Sequence, residues 1–220
     1  MENFILNLIF DGLSLTASTF ILTLFLDFLS VNYIYKLFKE VDGKKLYIES
    51  FLMNLFNNIV LGTLSFITFS YFFEVEKKLT FTLIFVEFFL LLIIQAFGYY
   101  FAHQIMHTPS FYFIHKFHHK YSKIVIPMAA NSVSVLEYIF AYLSPFIIGI
   151  ILIRPSRFSL KLAISCVSLG NLLIHTPWLS DFSDKYIPDY FVKTSDHLYH
   201  HRVSNKKFSA PILNLDNIKF

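Results

Sequence analysis

The nine histidines of this 220-residue chain fall into four short groups. The first group is an HxxxH pair, the second and fourth are HxxHH triplets, and the third is a single histidine. In chain order they are His103 and His107; His115, His118 and His119; His175; and His197, His200 and His201. Residues three or four positions apart share a face of a helix, so these spacings predict imidazoles that lie side by side.

Neutral imidazole is the side chain that most often binds a metal in proteins. Nine imidazoles exceed the needs of one ion, since iron and zinc take about four to six ligands each, so the set suits two ions. A site rich in imidazole and poor in carboxylate favours Fe, Zn or Cu over Mg or Ca. His175 stands alone in the sequence, and its inclusion depends on where the chain places it.

The helices that position these histidines are predicted to lie in a membrane. Hydrophobic residues make up 55% of the chain and charged residues only 15%, where a soluble protein has about 25%. Three apolar runs reach the roughly 20 residues that cross a bilayer, and two shorter runs follow them. The five runs cover residues 13–35, 51–73, 79–101, 135–153 and 160–174. Whether the last two form a full hairpin or a shallow one is left open.

This order of spans brings all four histidine groups to one face of the membrane. The third run ends just before His103, and the fourth and fifth runs leave that face and return to it at His175. Thirteen of the 18 Lys and Arg residues lie on the histidine side, which predicts that this side is cytoplasmic. Residues 103–130 and 176–220 are predicted to form a water-side cap.

The predicted fold is therefore all-α, an integral membrane helical bundle of about four to five spans or half-spans with a helical, histidine-rich cap on the cytoplasmic side. Residues 1–94 supply the N-terminal transmembrane helices and residues 95–220 the histidine-bearing domain, as one structural unit. The modest net charge of +3 is not gathered in a basic stripe and predicts no nucleic-acid partner. The lone Cys166 rules out an internal disulfide.

Residues 99–137 resemble the central signature of the fatty acid hydroxylase / sterol desaturase superfamily. That signature has an HxxxH, an aromatic-rich linker, an HKxHH and then an acidic residue, here Glu137. The tail resembles the closing signature, in which HxxHH is followed by Asn205, Phe208 and Asp216. The resemblance covers roughly residues 95–220, and the box spacing favours the sterol hydroxylase / methylsterol oxidase branch. Many members carry His-Pro where this chain has Ser134 and Val135.

The resemblance implies a membrane-bound di-iron oxygenase in which the nine histidines bind two Fe ions. Such an enzyme uses O2, and electrons from a carrier protein and its reductase, to hydroxylate an unactivated C–H bond of a sterol or fatty acyl chain. It would reside in the endoplasmic reticulum of a eukaryote or the inner membrane of a bacterium. No catalytic side chain beyond the metal centre is predicted. Asn171, Asp196 and Glu137 are candidates to orient the imidazoles.

Other functions stay open at this point. A lipid desaturase of the same fold would use the same ligands. A zinc-dependent membrane lipid hydrolase would need neither oxygen nor an electron donor. A transporter or haem-binding bundle is disfavoured because the histidines gather at one face rather than across the bilayer depth. An inactive lipid-binding relative is disfavoured because the ligand set is nearly complete.

Overall fold

The structure is a computed structural model that describes residues 2–73 and 80–218. Lys77, Lys78 and Lys219, which entered the charge count, lie outside the described residues. All regular secondary structure in the described part is helical, apart from an isolated bridge between Phe191 and Leu213. The α-helices are α1 (Glu2–Leu29), α2 (Val31–Phe38), α3 (Gly43–Leu55), α4 (Thr63–Phe73), α5 (Phe81–Met106), α6 (Tyr112–His115), α7 (Val135–Glu137), α8 (Ser144–Ile153), α9 (Arg157–Ile174), α10 (Ser180–Tyr186) and α11 (Thr194–Arg202).

Five segments of the described chain are long and apolar enough to cross a membrane, which confirms the predicted bundle. Two of them are continuous helices that contain a turn of π-helix, which joins α3 to α4 and α7 to α8. The first helix begins at Glu2, well before the predicted start at residue 13. The five segments are Asn3–Leu29, Gly43–Phe72, Phe81–Met106, Val135–Ile153 and Arg157–Ile174.

Helices α8 and α9 form a deep hairpin rather than a shallow one. Both pack along α5, where Leu91 lies in one apolar cluster with Ile150 of α8 and Ala163 of α9. The turn between them reaches Glu87 of α5, whose carboxylate accepts the backbone N–H of Ser156 at 2.9 Å. Glu87 is sixteen residues from His103, so the hairpin follows α5 for about 24 Å at 1.5 Å per residue, most of a ~30 Å hydrocarbon core.

The outer surface of the bundle suits lipid. Large apolar side chains are more than half exposed along the spans, among them Phe10, Phe28, Phe72 and Leu152. The interior is closely packed, and Gly98 shows how closely. A Cβ at Gly98 would lie 2.7 Å from the Cβ of Pro145, so the absence of a side chain there lets α5 approach α8.

Polar side chains inside the spans hold one segment of the cap in the bundle. Asn54 donates to the carbonyl of Met128 at 3.2 Å, and Asn57 donates to the carbonyls of Asn131 and Val133 at 2.9 Å each. From the other side, the carboxylate of Asp27 accepts the N–H of Met128 at 3.0 Å. Backbone that lies among membrane helices needs such partners, because hydrocarbon offers none.

The predicted water-side cap is therefore only partly correct. Residues 103–124 and the tail lie at the histidine end of the bundle, but the 3-10 turn Pro127–Asn131 enters the bundle between α1, α3 and α9. Met128, Ala129 and Ala130 have no exposed surface. The sequence prediction missed this because a short apolar stretch between polar ones does not show which neighbours will bury it.

Candidate metal centre

All nine histidines meet at one end of the bundle, as the topology argument predicted. His103 and His107 lie in the last turn of α5 and just after it, and His175 directly follows α9. The second group begins at the end of α6 and continues in the 3-10 turn His118–Tyr121, and the fourth lies on α11. Eight of the nine are buried, and His107 is partly exposed. The isolated His175 thus joins the other groups.

The imidazoles form two clusters in which every potential ligand atom lies within 4.8 Å of the others. Each HxxHH motif is divided between them. In α11, His197 and His201 enter one cluster and His200 the other. His200 and His201 are adjacent, so their side chains leave the helix about 100° apart and reach different sites. Site one contains His103, His107, His115, His119 and His200; site two contains His118, His175, His197 and His201.

The two sites adjoin each other. The rings of His115 and His118, one from each site, have centroids 5.1 Å apart, and those of His119 and His201 are 5.2 Å apart. The second and fourth histidine groups each contribute ligands to both sites, so these two groups form the wall between the sites. A pair of neighbouring ions therefore matches the arrangement better than two separate sites would.

Hydrogen bonds at the outer ring nitrogens fix how four imidazoles face the sites. The Nδ1 atoms of His103, His175 and His200 each lie 2.7 Å from a backbone carbonyl, those of Phe208, Asn171 and Lys206 respectively. A carbonyl can only accept, so each Nδ1 carries the proton and each Nε2 presents a lone pair to the site.

The fourth imidazole is fixed by a carboxylate. The Nδ1 of His115 lies 2.6 Å from Oε1 of Glu137, and neither side chain is exposed. Ser134 supports this contact, since its hydroxyl donates to the carbonyl of Ile114 and accepts the N–H of Glu137. The serine that stands where many relatives have histidine therefore joins α6 to α7 and places Glu137.

Lone pairs that face one another at short range indicate that a cation fits between them. In site one, Nε2 of His103 is 3.0 Å from Nε2 of His115 and 3.2 Å from that of His107. In site two, Nε2 of His175 is 2.9 Å from that of His197 and 3.3 Å from that of His118. Separations of about 3 Å are short enough for both nitrogens of a pair to bind one ion at the usual metal–nitrogen distance of about 2.1 Å.

Burial keeps the ligands neutral and available. It lowers the pKa of His107 to about 3 and the pKa values of His175 and His200 to about 4. Burial, reinforced by neighbouring imidazoles, also holds the pKa of His118 well below its usual range. The Nε2 of His200 is buried without a hydrogen-bond partner among the described residues, which is the state expected of a ligand atom. The residues present therefore fit two imidazole-bound transition ions.

The three residues predicted to orient imidazoles have different places in the structure. Glu137 contacts His115 directly, as described. Asn171 contacts His175 through its backbone carbonyl, while its side chain donates to the carbonyl of Ala130. The carboxylate of Asp196 faces away from the imidazoles: it accepts from Asn214 at 3.2 Å and lies 3.3 Å from Lys207.

The carbonyls of Lys206 and Phe208 were not anticipated from the sequence. The sequence signal that could have pointed to these carbonyls is Asp216 in the closing signature, because its side chain binds the backbone of this part of the tail. Its carboxylate accepts the backbone N–H groups of Phe208 and Ser209 at 3.1 and 2.8 Å. Asp216 therefore fixes the backbone at Phe208, whose carbonyl contacts His103.

Comparison with known proteins agrees with this geometry. The model of a family described as fatty acid hydroxylase matches residues 88–218, more than half of the chain, and the match includes every histidine of both sites. No curated protein and no solved structure gave a significant match. The match is to the family as a whole, so the sterol branch stays a prediction. The five apolar spans and this match identify an integral membrane oxidoreductase, and the chain belongs to the fatty acid hydroxylase family.

Proposed function

We propose that this protein is a di-iron oxygenase that hydroxylates an unactivated C–H bond of a membrane lipid, such as a sterol or a fatty acyl chain. The observation that carries the proposal is the pair of adjoining, all-imidazole clusters buried at one end of the membrane helices. Two neutral, nitrogen-rich sites this close suit a pair of redox-active ions that act together. Supplied with O2 and with electrons from a carrier protein and its reductase, a pair of iron ions provides the oxidising power that such a bond requires.

The chain's own residues would hold and insulate that pair. Glu137 is the carboxylate that contacts a site imidazole in the part of the chain that the structure describes, and it would make His115 a stronger donor to an ion. The backbone carbonyls at His103, His175 and His200 keep the proton on Nδ1 and so keep each Nε2 free to bind an ion. These contacts preorganise the sites before any ion binds.

Aromatic side chains would exclude water from site one. The ring of Tyr99 packs 5.2 Å from that of His103, and the ring of Phe208 lies 5.3 Å from that of His107. Tyr99 is 4% exposed and closes the membrane side of the site. A dry surrounding protects a strong oxidant from water and leaves the lipid as its target.

The surroundings of the sites also support a lipid substrate, an electron carrier and a sidedness. A lipid can reach the centre laterally because the sites lie at the end of lipid-facing helices. The basic residues on the histidine side favour a cytoplasmic location for the centre and an acidic face on the carrier that docks there. The host membrane would be the endoplasmic reticulum in a eukaryote or the inner membrane in a bacterium.

Lipid analysis under labelled oxygen tests the proposal and separates its alternatives. Cells that express the full chain would be grown under 18O2, and their lipids compared by mass spectrometry with those of cells that express His118→Ala. Hydroxylation predicts a lipid that has gained one 18O atom, found only with the wild type. Loss of two hydrogens without label would indicate a desaturase, and unchanged turnover without oxygen would indicate a zinc hydrolase.

The matched control is Asp196→Asn. Asp196 lies beside a ligand in the sequence, but its carboxylate contacts Lys207 and Asn214 rather than an imidazole. The control variant should keep the labelled product. Labelled product from His118→Ala at the wild-type level would overturn the assignment of site two, provided that both variants reach the membrane in equal amount.

A further inference from the structure

Two adjoining cavities lie inside the bundle beneath the metal centre. Their volumes are about 90 and about 30 Å³. The larger one is walled on its far side by Phe66, Phe69 and Phe146. The smaller one reaches Tyr99 and Asn171, which contact His103 and His175 respectively. Residues that line both are Gln95, Asn131, Tyr142, Val167 and Ser168.

The shared residues lie at membrane depth. Gln95 precedes His103 by eight residues on α5, which corresponds to about 12 Å along the helix axis. Ser168 precedes His175 by seven residues on α9, about 10 Å. The two cavities therefore meet at a polar belt, formed by Gln95, Asn131, Tyr142 and Ser168, between an apolar interior and the membrane side of the metal centre.

Two amide atoms of this belt lack partners. Gln95 is 1% exposed, and its Oε1 has no hydrogen-bond partner among the described residues. The Nδ2 of Asn131 is also buried and has no hydrogen-bond partner among the described residues, while the Oδ1 of the same side chain accepts from Asn171 at 3.2 Å. An unpaired amide is costly inside a bilayer, where no lipid tail can compensate for it. The belt thus offers one free acceptor and one free donor to whatever occupies the cavities.

We propose that Gln95 and Asn131 bind the hydroxyl group of a lipid alcohol. That this alcohol is the substrate rests on the proposed function. A hydroxyl group both donates and accepts, so it matches the free acceptor of Gln95 and the free donor of Asn131, which line the same cavities. Among the described residues that line the two cavities there is no Lys, Arg or His, so the ionised head of a free fatty acid finds no counter-charge among them. The larger cavity has room for about three water-sized groups, enough for the hydroxyl and its first carbons. The rest of the lipid extends between the helices, with carbons next to Tyr99 presented to the metal centre.

Equilibrium binding of matched probes tests this site without turnover. The full chain in detergent would be titrated anaerobically with hexadecan-1-ol, its methyl ether and hexadecane, for the wild type and for Gln95→Met, which removes the amide at nearly constant volume. The wild type should bind the alcohol at least about tenfold more tightly than the ether or the alkane, because only the alcohol satisfies both amides. In Gln95→Met this preference should fall severalfold. The affinity of each probe is corrected for its measured partition into protein-free micelles, so comparisons between probes and between proteins are both independent of that partition.

Ser70→Ala is the matched control. Ser70 is also buried, and its hydroxyl lacks a partner among the described residues, but it lines neither cavity. This variant should keep the preference for the alcohol.

Two results would overturn the proposal: equal binding of all three probes by the wild type, which would mean that water alone satisfies the amides, or an undiminished preference in Gln95→Met. The first comparison needs no variant and stands even if Gln95→Met fails to fold. If the wild type prefers the alcohol but forms no labelled lipid under 18O2, the proposed function is wrong and this binding site stands. If it forms labelled lipid but shows no preference for the alcohol, only this binding site is wrong.

Discussion

Replacing Glu137 with alanine removes the buried carboxylate that, among the described residues, contacts the metal centre. Its Oε1 lies 2.6 Å from Nδ1 of His115, and its Oε2 has no hydrogen-bond partner among the described residues. The contribution of Glu137 to the centre therefore passes through this single contact. The substitution leaves the Nδ1 of a fully buried imidazole without a partner and allows the ring to rotate.

The size of the effect follows from this contact. A hydrogen bond to a charged group contributes about 1.5–3 kcal/mol, which is roughly 10- to 150-fold in an equilibrium constant. The loss of a carboxylate behind a metal-binding histidine typically weakens metal affinity by about 10- to 100-fold, in agreement. His115 belongs to site one, so we expect that loss at one ion and little change at the other, because the carboxylate of Glu137 contacts a histidine of site one and site two is built from four other histidines.

Competition with a chelator measures this difference. Wild type and Glu137→Ala, loaded with Fe(II) under anaerobic conditions, would be titrated with a chromophoric chelator, and the iron released would be followed in its two steps. The variant should release one ion at a chelator concentration about 10- to 100-fold lower and the second at the wild-type concentration.

Asp196→Asn is the control for this experiment too, because its carboxylate contacts Lys207 and Asn214. It should release both ions as the wild type does. Release curves for Glu137→Ala that coincide with those of the wild type would refute the role given to this carboxylate.

Three further outcomes follow from burial and packing. Asn57→Leu should lower the thermal unfolding midpoint in detergent, because the carbonyls of Asn131 and Val133 each lose a partner at a cost of about 1–3 kcal/mol; an unchanged midpoint would contradict the anchoring of the inserted turn. Gly98→Val should destabilise by about 1–3 kcal/mol in the same assay, because a Cβ there would lie 2.7 Å from that of Pro145. Acidification of the metal-free protein from about pH 6.5 towards 4 should lower its stability, measured by unfolding at each pH. Burial holds the pKa of His175 at about 4, below the unfolded value of about 6.5, so the unfolded chain binds more protons within this window. Constant stability across it would contradict the neutral, buried state of these ligands.

Spacing predicted the site well because it acts locally. A histidine pair four residues apart faces one way on any helix, so HxxxH and HxxHH specified neighbouring imidazoles before the fold was known. The fold then divided each triplet between two sites, which spacing alone cannot show. His175 was predicted from topology, since the hairpin of α8 and α9 has to return the chain to the face from which it left.

The supports of the imidazoles were harder to predict, because most of them are backbone atoms. The carbonyls that hold His103 and His200 come from residues 208 and 206, and no side-chain identity marks a carbonyl as a ligand support. Asp196 was predicted to orient an imidazole because it precedes His197 in the sequence. Adjacent residues point to different faces of a helix, so its side chain lies away from the imidazoles on α11. Insertion of the turn Pro127–Asn131 also depends on distant partners, namely Asp27, Asn54 and Asn57.

The metal content of the full chain tests the central claim most directly. After anaerobic reconstitution with Fe(II) and removal of loosely bound metal, elemental analysis should find about two irons per chain, because two clusters of five and four imidazoles lie side by side. His118→Ala, which leaves site two with three histidines, should retain about one. A wild-type chain that binds one iron or none under these conditions would contradict the two-ion centre on which the proposed function rests.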